Sequence, residues 1–228
     1  MKKYANQNNP ESQKGGYTLL ELLFVLAIIF ILAGTSLVNY NRFGKEIDLE
    51  NMTYNVALTV RTAQSFGINR RDIDDSFDGF DTPIPYGVYF STSGLQDIFT
   101  GIEDDEAFMV FVDNKAGAVS GSNNLFDNTG TGGACVANSS DECVEILSMN
   151  KQVYISEICA GDDAASCVER DELHITFKRP NPDAIIKSSA VAEHSYAEIV
   201  LSSPVALGFD QVISVGVAGQ ISISKRPI

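Results

Sequence analysis

The sequence GGYTLLELLFVLAIIFILAG, residues 15–34, contains the junction between a polar leader and the first apolar run of the chain. Two glycines end a polar leader, and the apolar run that follows extends to Val38 with one acidic residue, Glu21. In helical form, residues 17–34 reach about 27 Å, which is close to the hydrocarbon thickness of a bilayer. A helix also satisfies its own backbone hydrogen bonds, as lipid requires. The sequence therefore predicts a helix that spans a membrane.

Charges near this run predict its orientation and its use. Lys2, Lys3 and Lys14 precede it, so the positive-inside rule predicts a cytoplasmic leader and an external remainder of the chain. A carboxylate inside a membrane helix costs roughly 2.5–3.5 kcal/mol on insertion scales, which favours an interfacial place or a packing role for Glu21. An ordinary signal anchor is one alternative. A cleaved secretory signal is another, but the run is longer than a typical signal core and no Ala-x-Ala site follows.

The residues around Gly16 resemble the processing site of type IV prepilins and type II secretion pseudopilins, with the sequence GYTLLELL at residues 16–23. The resemblance implies that a membrane prepilin peptidase cuts between Gly16 and Tyr17 and methylates the new amino group of Tyr17. That family usually has phenylalanine here, and tyrosine keeps the aromatic ring. The resemblance also implies that Thr18 and Glu21 serve assembly, the carboxylate pairing with the amino group of a neighbouring subunit in a dry bundle of helices.

The same resemblance implies partners and a location. The partners are prepilin peptidase, other pilin or pseudopilin subunits and an inner-membrane assembly platform. The location is the cytoplasmic membrane, crossed once with the globular domain outside, and then a pilus or pseudopilus. The layout, with the segment 57–64 in the outer part of the helix, is also similar to minor pseudopilins of the H type. The sequence leaves open a secretion pseudopilus, a competence structure or a surface pilus, and a major or minor subunit.

Length and charge predict a single acidic domain behind the helix. The expected division is a leader at 1–16, an assembly half of the helix at 17–38, an amphipathic half at 39–69 and a globular domain at 70–228. The chain has 228 residues and a formal charge of −14, which becomes −16 when the leader is removed. The domain is long enough for a core. An acidic surface repels nucleic acid and anionic lipid, so neither is expected as a partner of the soluble part.

The predicted helix can continue beyond the membrane, because no proline interrupts the chain between Tyr17 and Pro83, and its outer half has one apolar face. Its members follow helical spacing and are expected to pack on the domain: Met52, Val56, Val60, Ala63 and Gly67. Further apolar positions are Ile47, Tyr54 and Leu58. Polar residues off this face suit solvent or a groove between subunits: Lys45, Asp48, Asn55, Thr59 and Thr62.

After a loop with Pro83 and Pro85, eight segments have strand character: 86–90, 107–112, 144–148, 152–158, 173–178, 196–201, 212–217 and 220–224. Residues 173–178 and 220–224 alternate and predict half-buried strands. Residues 217–220 predict the hairpin turn between the last two strands. The predicted fold class is α+β, with a long N-terminal helix packed on a mostly antiparallel β domain.

Four cysteines lie in the part predicted to be external, in two pairs with seven residues inside each. An even count outside the cytoplasm indicates disulfides, and three connectivities are available. The favoured pairing is Cys135–Cys143 and Cys159–Cys167, because both enclosed stretches are polar loops. Zinc is the alternative, although no C-x₂₋₄-C element is present.

No catalytic set is recognisable, so we expect neither an enzyme nor a cofactor. His174 and His194 are expected on strand surfaces, and no phosphate-binding glycine loop occurs. A weak calcium site is conceivable at Asp113, Asn114 and Asp127, which lie in an oxygen-rich loop. The alternative function is a membrane-anchored extracellular binding protein, an adhesin or DNA-uptake component, that uses the same leader.

Overall fold

The computed structural model describes residues 16–69, 84–92, 106–113, 123–126, 135, 142–149, 152–188, 192–204 and 208–228, without the side chains of residues 37–43. Contacts divide the chain into two compact units, Met1–Asn41 and Arg42–Ile228. One helix, α1 (Leu19–Asn69), begins in the first unit and ends in the second. The strands all belong to the second unit.

The part of α1 in the second unit buries the face that its spacing predicts. Val56, Val60, Ala63 and Gly67 are buried, and Met52 is partly buried against the core. Two further residues extend this face toward the helix start and are fully buried: Leu49 and Thr53. The three other apolar positions of this half are exposed: Ile47, Tyr54 and Leu58.

The described residues form eleven strands: β1 (Tyr86–Ser91), β2 (Ala107–Val112), β3 (Cys143–Ser148), β4 (Tyr154–Gly161), β5 (Val168–Glu169), β6 (Glu172–Phe177), β7 (Ala184–Lys187), β8 (Glu193–His194), β9 (Tyr196–Ser202), β10 (Phe209–Gly216) and β11 (Ile221–Pro227). One sheet has six strands in the order β3-β2-β1-β6-β7-β8, and the other has five in the order β11-β10-β9-β4-β5. Every pair is antiparallel. The predicted α+β class is confirmed.

A single hydrophobic core joins the outer half of α1 to both sheets. The six-stranded sheet contributes Val88 and Ile175, and the five-stranded sheet contributes Ile158, Ile199 and Ile213. Full burial of one such side chain contributes about 1.5–3 kcal/mol. The amphipathic face of α1 is therefore held by the domain that follows it in the chain.

Gly67 lets the end of α1 approach β6 closely. A Cβ built at this position would collide with the carbonyl oxygen of Phe177. Two side-chain hydrogen bonds hold the same end of the helix to the loops: Gln64 donates to the carbonyl oxygens of Pro182 at 2.9 Å and Gly219 at 3.2 Å. Gly219 has a φ of 75° in the turn between β10 and β11, where the sequence predicts a hairpin.

The other face of the six-stranded sheet carries a smaller cluster, called here the outer cluster. Its buried members are Tyr89, Ala107, Met109, Phe111, Phe126 and Cys143, with Cys135 and Ile146 packed against them. A disulfide joins Cys135 to Cys143, and a second joins Cys159 to Cys167. This is the pairing that the sequence favours.

All eight predicted strands occur, β2 with the predicted bounds and the other seven with shifted ends, but three short strands were not predicted. These are β5, β7 and β8, which have two to four residues each. Such short segments carry too little periodicity to stand out from a turn.

The prediction that residues 173–178 form a half-buried strand is wrong, because residues 173–177 are all buried. In the sheet, β6 lies between β1 and β7 and is covered on both faces, by the core and by the outer cluster. Residues 220–224 were also predicted to be half-buried, and β11 does alternate over that stretch.

Candidate functional site

The N-terminal start of α1 is set by an N-cap residue, Thr18. Thr18 stands just before the helix, and its hydroxyl oxygen accepts a hydrogen bond from the backbone N–H of Glu21 at 3.2 Å. Its carbonyl oxygen accepts the first intrahelical bond, from Leu22 at 3.1 Å. Threonine followed three residues later by glutamate is the pattern typical of this cap. Glu21 also places a negative charge in the first turn, where the helix dipole favours it.

The two residues before this cap are open to solvent. Gly16 and Tyr17 are not helical, and the Tyr17 side chain is 84 % exposed. No atom of the described residues comes within 4 Å of a Cβ built on Gly16, and its φ is not in the left-handed region. The fold of the described chain therefore places no demand for glycine at this position. The peptide bond between Gly16 and Tyr17 is accessible.

The helix that follows presents an uninterrupted apolar surface. The segment Leu19–Ser36 is long and apolar enough to cross a bilayer, and none of it is buried within the chain. Glu21 is its only charged residue. Large apolar side chains in this segment are 47–82 % exposed, from Leu26 to Leu19. Because such a surface is unstable in water, it needs lipid or other apolar helices around it.

Comparison with known protein families gives one finding for this segment. The family model described as the prokaryotic N-terminal methylation motif matches residues 12–37. No curated protein and no solved structure matches the chain. The motif and the bare apolar helix define a protein with a prepilin-type leader and a single-pass membrane anchor. More particularly, the chain fits a type IV prepilin-like protein.

The calcium candidates are only partly within the described residues. Asp113 is buried at the end of β2, and its carboxylate accepts a hydrogen bond from the backbone N–H of Asn124 at 2.6 Å. Asn114 and Asp127 lie outside the described residues. Among the residues described, no three His, Cys, Asp or Glu side chains are grouped closely enough to hold a metal. The calcium hypothesis stays a prediction.

The two histidines lie apart from the N-terminal segment in sequence and have different surroundings. The prediction that His174 lies on a strand surface is wrong, because it is 4 % exposed beneath Phe126, whose backbone N–H donates to its Nδ1. His194 is partly buried, and its Nε2 lies 2.8 Å from the hydroxyl oxygen of Ser188. Burial, and then the charge of Arg170, lower the pKa of His194.

Sequence reasoning missed two features, of which one has a recognisable sequence pattern and the other has none. The Thr18-to-Glu21 cap has a recognisable pattern in the sequence. The contact between Phe126 and His174 joins residues 48 apart in the chain, and no local pattern indicates it. It depends on how the segment 123–126 returns over the sheet.

Proposed function

We propose that this chain is a structural pilin or pseudopilin subunit, cut by prepilin peptidase between Gly16 and Tyr17 and methylated on the amino group of Tyr17. The mature subunit then assembles into a filament through its apolar helix, in a type II secretion system or a type IV pilus. The observation that carries the proposal is the bare helix Leu19–Ser36 with its single carboxylate, preceded by an exposed Gly16.

Gly16 supports the cleavage part of the proposal. Nothing in the described chain needs a glycine there, so its residue type is explained by a partner that reads the position. A peptidase that must bring backbone into its active site benefits from a residue with no side chain. Gly16 and Tyr17 lie before the first helical residue, so the bond to be cut is not inside the helix.

Glu21 supports the assembly part of the proposal. Cleavage would create a positive amino group two residues before α1, where the positive end of the helix dipole repels it. In a dry bundle of such helices, a carboxylate on a neighbouring subunit offsets that repulsion and the loss of solvation. Glu21 and the amino group then bring successive subunits into register. Thr18 contributes by fixing where the helix begins.

The globular domain supports a minor subunit of the H type by layout alone. The outer half of the helix precedes two antiparallel sheets, and the last strand in the chain is β11, which ends at Pro227. In this proposal the basic leader stays in the cytoplasm and the domain is exported. Its partners are prepilin peptidase, other pilin or pseudopilin subunits and an inner-membrane assembly platform, and it acts without catalysis.

Processing is tested by co-expressing the full chain with a prepilin peptidase and measuring the intact mass. We expect loss of residues 1–16 and a gain of about 14 Da for one methyl group. Gly16→Leu should abolish the cut. Gly34→Leu is the matched control, since Gly34 also has no atom within 4 Å of its Cβ position, and it should be cut normally. An unprocessed wild-type chain beside an active peptidase would overturn the proposal.

Assembly is tested separately, in cells that carry a pilus or secretion machinery able to accept the subunit. Glu21→Gln should be cut normally yet enter sheared filaments far less than the wild type, because the neutral amide does not pair with an ammonium group. Glu46→Gln changes the same residue type further along α1 and should enter normally. If Glu21→Gln assembles as well as Glu46→Gln, the assembly role of Glu21 is wrong. A processed wild type that never enters filaments would favour the anchored binding protein.

A further inference from the structure

Residues 123–126, called here the covering segment, lie over the outer cluster of the six-stranded sheet. The ring of Phe126 packs against the rings of Tyr89 and Phe111, with centroids 5.6 and 5.8 Å apart. Phe126 is 9 % exposed. Phe126 thus covers aromatic side chains on the face of the sheet that carries the outer cluster.

Within the described part of the chain, three hydrogen bonds attach the covering segment to three different strands or strand ends. The N–H of Asn124 donates to the carboxylate of Asp113 at 2.6 Å, after β2. The ammonium group of Lys187 in β7 donates to the carbonyl oxygen of Asn123 at 3.0 Å. The N–H of Phe126 donates to Nδ1 of His174 in β6 at 3.0 Å.

The bond to His174 is possible in only one protonation state of the ring. An imidazole nitrogen accepts a hydrogen bond only through a free lone pair, so Nδ1 must be unprotonated. The single hydrogen of the neutral ring is then on Nε2, which lies 3.9 Å from the Glu172 carboxylate. A second proton has nowhere to bind except Nδ1. Once there, it faces the N–H of Phe126, and two donors oppose each other.

Other titratable groups of the described residues surround His174 on several strands. Tyr89 of β1 stacks on it at 4.8 Å between ring centroids, and its hydroxyl lies 3.5 Å from Glu172. Lys187 is its register partner on β7 and pairs with Glu193 of β8 at 3.3 Å. Proximity of His174 lowers the pKa of Glu172, so this carboxylate stays charged in mild acid. A charged Glu172 can stay beside a doubly protonated imidazole ring, because the two opposite charges attract each other.

We propose that protonation of His174 at Nδ1 breaks its hydrogen bond with Phe126 and loosens the covering segment over the outer cluster, so that this face of the domain responds to mild acid. The proton comes from solvent, and no covalent bond changes. The inference does not depend on the proposed filament role, since it concerns only the domain. Its consequence is that Phe126 uncovers the apolar surface formed by Tyr89, Met109 and Phe111 more often in acid than at neutral pH.

The test measures amide exchange of Phe126 by NMR on the full chain in detergent micelles, at about pH 7.5 and about pH 5, the range in which histidines ordinarily change charge. Rates are divided by the intrinsic rate at each pH to give protection factors. We expect the protection of Phe126 to fall about tenfold or more in acid, the factor for one lost hydrogen bond of ordinary net strength. The amide of Ile175, in the core-facing part of β6, should keep its protection.

Two variants decide which group is responsible. His174→Asn keeps an acceptor oxygen near the position of Nδ1 but cannot be protonated, so Phe126 should stay protected at both pH values. His194→Asn changes the other histidine, which does not contact the covering segment among the described contacts, and should keep the wild-type acid response. An acid response that survives His174→Asn would assign the effect to another group and overturn the proposal.

The wild type alone also decides the question if a variant fails to fold. Nitrogen chemical shifts of His174 report directly whether Nδ1 carries a proton. Loss of Phe126 protection should follow protonation of Nδ1 over the same pH range. An unchanged protection factor while Nδ1 becomes protonated would overturn the proposal, as would lost protection while Nδ1 stays unprotonated.

Discussion

The hydroxyl group of Thr18 fixes the residue at which α1 begins. It is the acceptor for the N–H of Glu21 and places the first helical residue at Leu19. The same two residues are those to which the prepilin resemblance assigns assembly. Capping and assembly are compatible, because the cap uses the backbone of Glu21 and leaves its carboxylate free for a neighbouring charge.

Replacement of Thr18 by alanine should loosen the first turn of α1. Loss of an N-cap costs about 1 kcal/mol, so the amide of Glu21 should exchange about fivefold faster in the micelle-bound chain. Thr18→Ser should restore the wild-type rate. Thr59→Ala removes a hydroxyl that only bonds back to the Asn55 carbonyl, and it should leave Glu21 unchanged. Equal rates in Thr18→Ala and wild type would contradict the capping role.

Tyr89 makes the stability of the domain sensitive to alkali. Burial, with a further contribution from the charge of Glu172, raises its pKa to about 12, from an ordinary value of about 10. A raised folded-state pKa means that the native state holds its proton longer than the unfolded chain. The stabilisation is fully present below pH 10 and is lost as the pH rises to about 12. The difference corresponds to at most about 3 kcal/mol.

Tyr89→Phe should therefore flatten the alkaline dependence of stability. The free energy of unfolding of the variant should fall less than that of the wild type between about pH 10 and about pH 12, by up to about 3 kcal/mol. Urea unfolding at each pH, followed by circular dichroism, measures this. Tyr54→Phe alters an exposed tyrosine and should keep the wild-type slope. A wild-type slope in Tyr89→Phe would contradict the assignment.

At the scale of elements, α1 was predictable from sequence and the outer face of the six-stranded sheet was not. The apolar positions of α1 repeat at three and four residues, so Val56, Val60 and Ala63 identify their own buried side. His174 lies in an alternating strand whose second face looks solvent-exposed in sequence. Phe126 returns over that face from a distant part of the chain and helps to bury His174, and such long-range cover leaves no periodic pattern.

Gly67 and Gly44 are two glycines of one helix that should respond oppositely to alanine. At Gly67 a Cβ would meet the Phe177 backbone, and overpacking of this kind costs about 1–3 kcal/mol. Gly44 has no atom within 4 Å of its Cβ position, so alanine should stabilise the helix by about 1 kcal/mol. Urea unfolding of both variants measures the two signs. Stabilisation by Gly67→Ala would show that the helix end can move away from β6.

At the scale of the whole molecule, the second unit contains its own core. Among the residues whose side chains are described, those of that core begin at Leu49. The membrane segment and the domain therefore use apolar residues in separate ways: Leu19–Ser36 leaves them bare, whereas Arg42–Ile228 buries them. The sequence predicted both behaviours, because an unbroken apolar run indicates a membrane helix and a periodic apolar pattern indicates a helix with one buried face. It did not predict the exact order of strands, which depends on contacts between distant segments.

Expression of Arg42–Ile228 alone should yield a folded protein that needs no detergent. Its free energy of unfolding in urea should lie within about 0.5 kcal/mol of the same transition in the full chain, as for independent regions. A shorter fragment that begins at residue 61 loses Leu49, Val56 and Val60 from the core. It should unfold at much lower urea, since each deleted core side chain costs about 2–5 kcal/mol. Failure of the longer fragment to fold would show that the anchor contributes to the domain.

The place of β10 in the five-stranded sheet has a consequence for biosynthesis. It lies between β9 and β11 and supplies Ile213 and Val215 to the core, and every other strand that contributes buried residues to this core precedes it in the chain. While these residues remain in the exit tunnel, β9 has an open edge and the core is incomplete. The core can close only after β10 has emerged. A transcript truncated before Phe209 would therefore yield an unclosed sheet, which quality-control proteases degrade.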